Sequence, residues 1–246
     1  MSIAENLAHV RARIDAAARR AGRRSEDITL MAVSKTFPAD SIREAYLAGL
    51  RLFGENRVQE FAGKIDLLRH LHDAEWHLIG HLQTNKAAKA AELFAAVDSV
   101  DSLRLGQKLN AAGQQLRKKL QVLIEINVGG EAAKSGMAPD SRELEDILLA
   151  APELENLEFR GLMTVPPFTD DPQQARPYFR KLRELRDQIV ARRLPAVDLS
   201  ELSMGMSHDF EVAIEEGSTC VRVGTAIFGE RAVTTETQSH RGNPRE

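Results

Sequence analysis

Cysteine is almost missing from this chain: of 246 residues only Cys220 carries a thiol, so an internal disulfide and a thiolate zinc cage are both excluded. Long apolar runs are missing as well, and nothing approaches the roughly 18 consecutive apolar residues that a membrane-crossing helix needs. The start, "MSIAENLAHV", has no basic region followed by an apolar one, so no secretory signal is expected. Neither charge dominates: 33 Lys and Arg against 36 Asp and Glu leave a formal net charge of -3. That balance offers no bulk attraction to nucleic acid or to an anionic membrane, so any anion site must be local. Cytoplasmic residence is the expectation. The 7 histidines include the pairs His70/His72 and His77/His81, but neither pair has a third ligand at a recognised spacing, so no metal site is expected.

What the chain does have is 43% apolar residues, enough for a substantial core, in a strict alternation of two patterns. Residues 1–20 place Leu7, Val10, Ile14 and Ala17 at helical spacing. "DITLMAVSKT" (27–36) then reads as a strand, and 40–50 as a helix started by Pro38 and Asp40 and stopped at Gly49. The rhythm continues through the strands "RLFGEN", "EWHLIG", "FAAVDSV", "LQVLIEINVG", "LEFRGLMTV", "AVDLSEL" and "TCVRVG". Helices are expected between them over 57–72, 84–94, 101–118, 140–149, 172–193 and 208–216. The pattern predicts an α/β fold, a (β/α)8 TIM barrel over 1–231 with an extra N-terminal helix, and an open doubly wound sheet is its rival. Residues 232–246 read as a polar, disordered tail.

In such a barrel, ligand-binding groups gather at the carboxyl ends of the strands. The unusual residues fall there: Lys35, Asn56, His81, Asn127, the segment from Ser203 to Ser207, and that from Arg222 to Thr225. Met31, Val33 and Lys35 share one face of the first strand. Lys35 is either a rim lysine with its ammonium in water or an amine of lowered pKa able to form a Schiff base with an aldehyde. Strand position alone does not choose. Cys220, Arg222 and Gly224 share one parity of the eighth strand, which turns Arg222 inward if the valines face the helices. Pairing of that arginine with a core acid such as Asp198 is the alternative. First and last strands adjoin in a closed barrel, so Lys35 and Arg222 are expected at one rim, where an anion or polar ligand would relieve their repulsion.

Gly224-Thr225-Ala226 is expected to open a short helical turn whose N–H groups have no internal acceptor. Ser207 is expected to cap the helix over 208–216, with Gly205 letting the chain come close to a ligand. Together the two segments read as a phosphate site, ordinary capping and tight turns being the alternative. A phosphate beside strands seven and eight and a reactive amine on strand one describe a site for pyridoxal 5'-phosphate, which carries both a phosphate and an aldehyde. A guanidinium at the pyridine nitrogen leaves that nitrogen unprotonated. The ring is then a weak electron sink, suited to racemisation or plain storage.

The motifs "AVSKTFP" (32–38), "LFGENRVQE" (52–60), "WHLIGHLQTNK" (76–86), "GLMTV" (161–165) and "LSMGMSHDFEVAIEEGSTCVRVGTAIFG" (202–229) occur in this order, with a looser "INVGGEAAKSG" (126–136). Through them the chain resembles the pyridoxal phosphate homeostasis protein family, small relatives of the alanine racemase N-terminal barrel, from residue 5 to about 231. The resemblance implies Lys35 as the Schiff-base lysine, Ser207, Gly224 and Thr225 as phosphate contacts, and Arg222 at the pyridine nitrogen. It also implies Asn56 and Met204 lining the ring, with His208 beside the phosphate loop. Lys134 resembles a family lysine considered as a secondary cofactor site, although by itself it reads as a solvated loop residue. Asn127-Val128-Gly129-Gly130 lacks the hydroxyls that most members carry after strand five.

The family binds the cofactor and hands it on, without turnover, so the implied partners are the cofactor and, transiently, the apoenzymes that depend on it. A monomer or a weak homodimer is expected. A weak amino-acid racemase is the alternative, and a regulatory binding protein a third reading. Racemisation needs a second acid or base opposite Lys35. Tyr46 and Tyr178 fall within helices away from the rim, which leaves His81 and His208.

Overall fold

Helix α1 (Ile3–Arg20) starts at a capping box, in which Ser2 Oγ accepts the Glu5 N–H at 3.2 Å and Glu5 Oε2 accepts the Ser2 N–H at 2.7 Å. Its buried stripe includes Leu7, Val10, Ile14 and Ala17, the residues whose spacing predicted it. The computed structural model describes residues 1–131 and 134–229, so the polar tail expected over 232–246 lies outside the described residues.

After α1 the strands and helices alternate. The strands are β1 (Thr29–Val33), β2 (Leu52–Glu55), β3 (Glu75–Leu78), β4 (Ala96–Val100), β5 (Leu120–Glu125), β6 (Leu157–Met163), β7 (Val197–Met206) and β8 (Cys220–Val223). Between them stand α2 (Ala39–Leu47), α3 (Val58–Leu68), α4 (Ala87–Leu93), α5 (Leu103–Leu116), α6 (Arg142–Ala150), α7 (Arg176–Ala191) and α8 (Phe210–Glu215), and α9 (Thr225–Phe228) follows β8. All neighbouring strands run parallel and the sheet closes, β1 pairing with β8 from Thr29↔Cys220 to Ala32↔Val223. Closure excludes the open doubly wound sheet.

Alternation along the strands separates two cores. Ala32, Phe53, Trp76 and Leu78 face the helices, where Trp76 stacks on Phe53 and lies tilted against Phe61, each with ring centroids 4.9 Å apart. Residues of the opposite parity point into the barrel. Several boundaries differ from the expectation, among them that of the helix expected over 84–94, which is a 3-10 turn at Thr84–Lys86 followed by α4. β7 runs on to Met206, taking in residues 203–206 that read as loop because Ser and Gly are strand-poor. The helix expected over 172–193 is divided, with a 3-10 turn at Pro172–Ala175 ahead of α7.

Deep inside the barrel the charges are paired with one another. Buried His77 donates from Nδ1 to Asp98 Oδ1 at 3.1 Å and from Nε2 to Glu75 Oε1 at 3.2 Å. Burial opposes its charge, but Asp98 and Glu75 prevail and raise its pKa to about 10. Nearer solvent, partly exposed Arg160 sits 3.3 Å from Asp198 and 3.6 Å from Glu201. Burial pushes the thiol of Cys220 up to about 12, which leaves it inert as a nucleophile.

Candidate functional site

The carboxyl ends of the strands surround a cavity of about 550 Å³, a volume suited to a small cofactor. Lys35, Asn56 and His81 line it from the ends of β1, β2 and β3, and Ser207, Arg222 and Thr225 from the other side of the seam. Lys35 stands two residues beyond β1, half-buried, on the parity of Val33, which also lines the cavity. Asn56 is admitted by Gly80: a Cβ there would meet the Asn56 carbonyl and side-chain oxygens at 2.3 Å.

Arg222 is 3% exposed. Its Nη1 donates to Ser203 O at 2.6 Å and to Ser203 Oγ at 2.8 Å, and Nη2 donates to Thr164 O at 2.7 Å. The pairing considered for it with Asp198 does not occur, since Asp198 is engaged by Arg160. Burial pulls its pKa below the ordinary arginine value, yet a guanidinium keeps its proton in protein interiors. Five N–H groups less three contacts leave two for a ligand.

Ser207 corrects one expectation. The N-cap of α8 is Asp209, and Ser207 Oγ instead accepts N–H groups from across the seam, Gly224 at 3.2 Å and Ala226 at 3.4 Å. The hydroxyl proton of Ser207 remains available to a ligand. α9 forms where the short helical turn was expected, with Gly224 as its N-cap. Gly205 also serves another purpose than the one expected. At φ +94 its missing Cβ makes room for α8, since one would lie 2.5 Å from Ala213 Cβ and 2.9 Å from Phe210 Cα.

Met204 is placed elsewhere than expected. It is fully buried in the outer core with Leu202, while Ser203 takes the inward parity and Met206 lines the cavity. Asn127 pins its own loop, donating to Glu131 O at 2.9 Å and accepting from Gly130 N at 3.0 Å. Lys134, in a loop and partly exposed, lines the cavity and is tethered, its Nζ 3.2 Å from Pro166 O and 2.8 Å from Glu131 Oε2. His81 donates to Asp101 at 2.9 Å and His208 to Asp170 O at 3.1 Å. The two tyrosines lie outside: Tyr46 bonds Asp73, and Tyr178 packs on the helix-side core.

Sequence reasoning missed Glu125, the sole carboxylate among the described residues lining this cavity. It is 6% exposed, accepts from Ser135 Oγ at 2.9 Å on one oxygen and leaves the other without a hydrogen-bond partner. Burial raises its pKa, and nearby Asp101 adds to the effect while Arg222 and His81 oppose it. Its parity with Gln121 and Leu123, opposite to Val122 and Ile124, was the available signal. With Lys35, Lys134 and Arg222 lining it against a single carboxyl, the cavity favours an anion. Among the described residues no group of three His, Cys, Asp or Glu is placed to hold a metal ion.

Comparison with known proteins places the chain among relatives. The family described as alanine racemase, N-terminal domain, matches residues 6–232. The chain is 48% identical over 231 residues to the pyridoxal phosphate homeostasis protein of Aquifex aeolicus, covering 94% of this chain and 99% of that one. The solved structure of PipY from Synechococcus elongatus with PLP bound superposes with a TM-score of 0.81 at 37% identity, over 93% of this chain and 100% of that one. Alanine racemase of Clostridium difficile superposes at TM-score 0.69 and 16% identity, over 95% of this chain but 58% of the racemase, a likeness of fold alone.

Proposed function

As the chain belongs to the pyridoxal phosphate homeostasis protein family, we propose that it binds pyridoxal phosphate as a Schiff base on Lys35 and releases it to dependent enzymes. The observation that carries this reading is the convergence of Lys35, Arg222 and the Ser207–Gly224 link on one cavity that is short of carboxylates. The residues fit the group: a hydroxyl and the start of α9 for the phosphate, two unused guanidinium N–H groups for the ring nitrogen, and Asn56 beside the ring. Thr225 and Gly224 line the cavity beside Ser207, where the phosphate would be held. When bound, the group would supply an aldehyde, and Lys35 Nζ would supply the amine that holds it, with water as the co-product. Water reverses the bond, so the cargo is recoverable.

Storage is favoured over turnover. Racemisation requires a second proton carrier facing Lys35, and here His81 is engaged by Asp101, His208 by a carbonyl, and both tyrosines stand outside the cavity. The reading places the protein in the cytoplasm, as a monomer or weak homodimer in transient contact with apoenzymes. No helix among the described residues is long and apolar enough to cross a membrane.

The test is borohydride reduction of the cofactor-loaded protein followed by peptide mapping. Label on Lys35, and loss of the visible absorption band in Lys35→Ala with unchanged thermal unfolding, are the expected results. Label on another lysine, or a chain that does not take up the cofactor, overturns the reading. Transfer of the chromophore to an unrelated apoenzyme tests the carrier role. Solvent deuterium appearing at the α-carbon of alanine faster than with free cofactor would favour the racemase instead.

A further inference from the structure

The turn that carries Lys35 is held from behind, on the helix side of the sheet. Phe37 N donates to Ser34 O at 3.1 Å and closes residues 34–37 into a turn. Inside it Thr36 has φ 68, a left-handed conformation that a β-branched residue adopts only under constraint. The constraint is visible. Glu60 Oε1 accepts the Thr36 N–H at 2.6 Å, and Ser34 Oγ donates to Glu55 Oε1 at 2.6 Å. Lys64 Nζ gathers the rest: Glu55 Oε1 at 2.9 Å, Glu60 Oε1 at 3.0 Å, Ser34 O at 3.3 Å and Phe37 O at 3.5 Å.

One ammonium therefore bonds both carboxylates and the main chain on both sides of Lys35. The cluster is sheltered, with the Lys64 side chain 13% exposed and that of Glu55 fully buried. Burial raises the pKa of Glu55, against Lys64 and Ser34. Burial also opposes ionisation of Glu60, but the Thr36 N–H and Lys64 hold its carboxyl below the usual value. Buried pairs of this kind contribute little net stability compared with apolar packing, so their use here is better read from what they touch. They touch the turn. Glu55 and Glu60 come from the "LFGENRVQE" motif, of which only Asn56 reaches the cavity.

We propose that Glu55, Glu60 and Lys64 are positioning residues for Lys35, which act through the main chain of residues 34–37 to present its amine to the cavity. Without them Thr36 relaxes to negative φ and the Cα–Cβ bond of Lys35 swings away, while the phosphate end and Arg222 keep their places. The proposal rests on the reading of Lys35 as the reactive amine, and the experiment separates the two.

Two ligands are compared: pyridoxal phosphate, whose capture needs the amine, and deoxypyridoxine phosphate, which lacks the aldehyde and reports the rest of the cavity. Wild-type protein is loaded, reduced and mapped first; label on a lysine other than Lys35 overturns both readings. Given label on Lys35, Glu60→Ala is expected to weaken capture of pyridoxal phosphate by about tenfold or more, the scale of one lost charge-assisted hydrogen bond. Its affinity for deoxypyridoxine phosphate stays within about twofold, well below that scale. Glu60→Gln, whose amide oxygen still accepts from Thr36, recovers most of the capture, and Lys64→Met shows the larger loss in the same sense. Equal weakening of both ligands, or undiminished capture in Glu60→Ala, overturns the positioning role and leaves the Lys35 reading intact.

Discussion

Low in the barrel buried His77 meets Asp98 and Glu75; at the rim Arg222 hydrogen-bonds two carbonyls and a hydroxyl, and one oxygen of Glu125 has no hydrogen-bond partner. Both regions bury charge in the same closed sheet, and they differ in what answers it. An ion answered by an opposite ion has its field spent within the fold. A guanidinium whose direct hydrogen bonds go only to neutral groups, with Asp98, Asp209 and Glu125 acting on it without a direct bond, keeps more of its field for whatever enters the cavity. The lower region is thus organised for the fold and the upper one for a ligand. The two lysines near β1 also differ in place: Lys64 is bonded behind the sheet to Glu55, Glu60 and Ser34 O, whereas Lys35 lines the cavity.

The contrast can be attacked from either side. Asp98→Asn leaves His77 with a weakened partner in the deep region and is expected to lower stability by about 3 kcal/mol, read by chemical denaturation. Capture of pyridoxal phosphate should persist in the folded variant, and its loss at full occupancy of the fold would break the division. Raising the pH attacks the same pair. The folded-state pKa of His77 lies near 10 against an ordinary 6.5, so its contribution is fully present below 6.5 and is lost as pH rises through about 10. The unfolding midpoint should fall across that window, and His77→Gln should flatten the fall.

Arg222→Gln tests the rim. A loss of about 1–2 kcal/mol in stability, the scale of its hydrogen bonds, should accompany a shifted absorption spectrum of the bound cofactor. Collapse of the fold with an unchanged spectrum would move Arg222 into the structural class. The smallest effect is expected from Glu125→Gln. Burial raises the carboxyl's pKa, so its contribution is greatest at low pH and fades as pH rises through the raised value. The neutral amide should remove that part of the slope and change stability by under about 1 kcal/mol at neutral pH.

The barrel was legible because each helix announces its period and each strand its punctuation, and because eight such alternations close in one way. Parity put Lys35 with Met31 and Val33, and Arg222 with Cys220 and Gly224, and Arg222 turned inward only on the condition that Val221 and Val223 face the helices. Parity also explains the misplacement of Met204: it shares a face with Leu202, and only the pairing of Ser203 with Arg222 shows which face is inside. The roles of Ser207 and Lys64 were not legible, since their partners are distant in sequence: Gly224 for one, Ser34 and Phe37 for the other. A residue's type and local spacing say that it can accept or donate; which main-chain atom it finds depends on the closure of the sheet. Glu125 was legible in principle, as an acid on the inward parity of an otherwise apolar strand.

The seam between β1 and β8 has a consequence for the protein's birth. Lys35 is made early and Arg222, Gly224 and Thr225 late, and α1 clasps the final helix through Asn6 Nδ2 to Ile227 O at 2.9 Å. Contacts so remote in sequence form slowly and last. A ribosome must release almost the whole barrel before its two ends can meet, so the cavity at the seam is complete only once nearly all of the chain has been made.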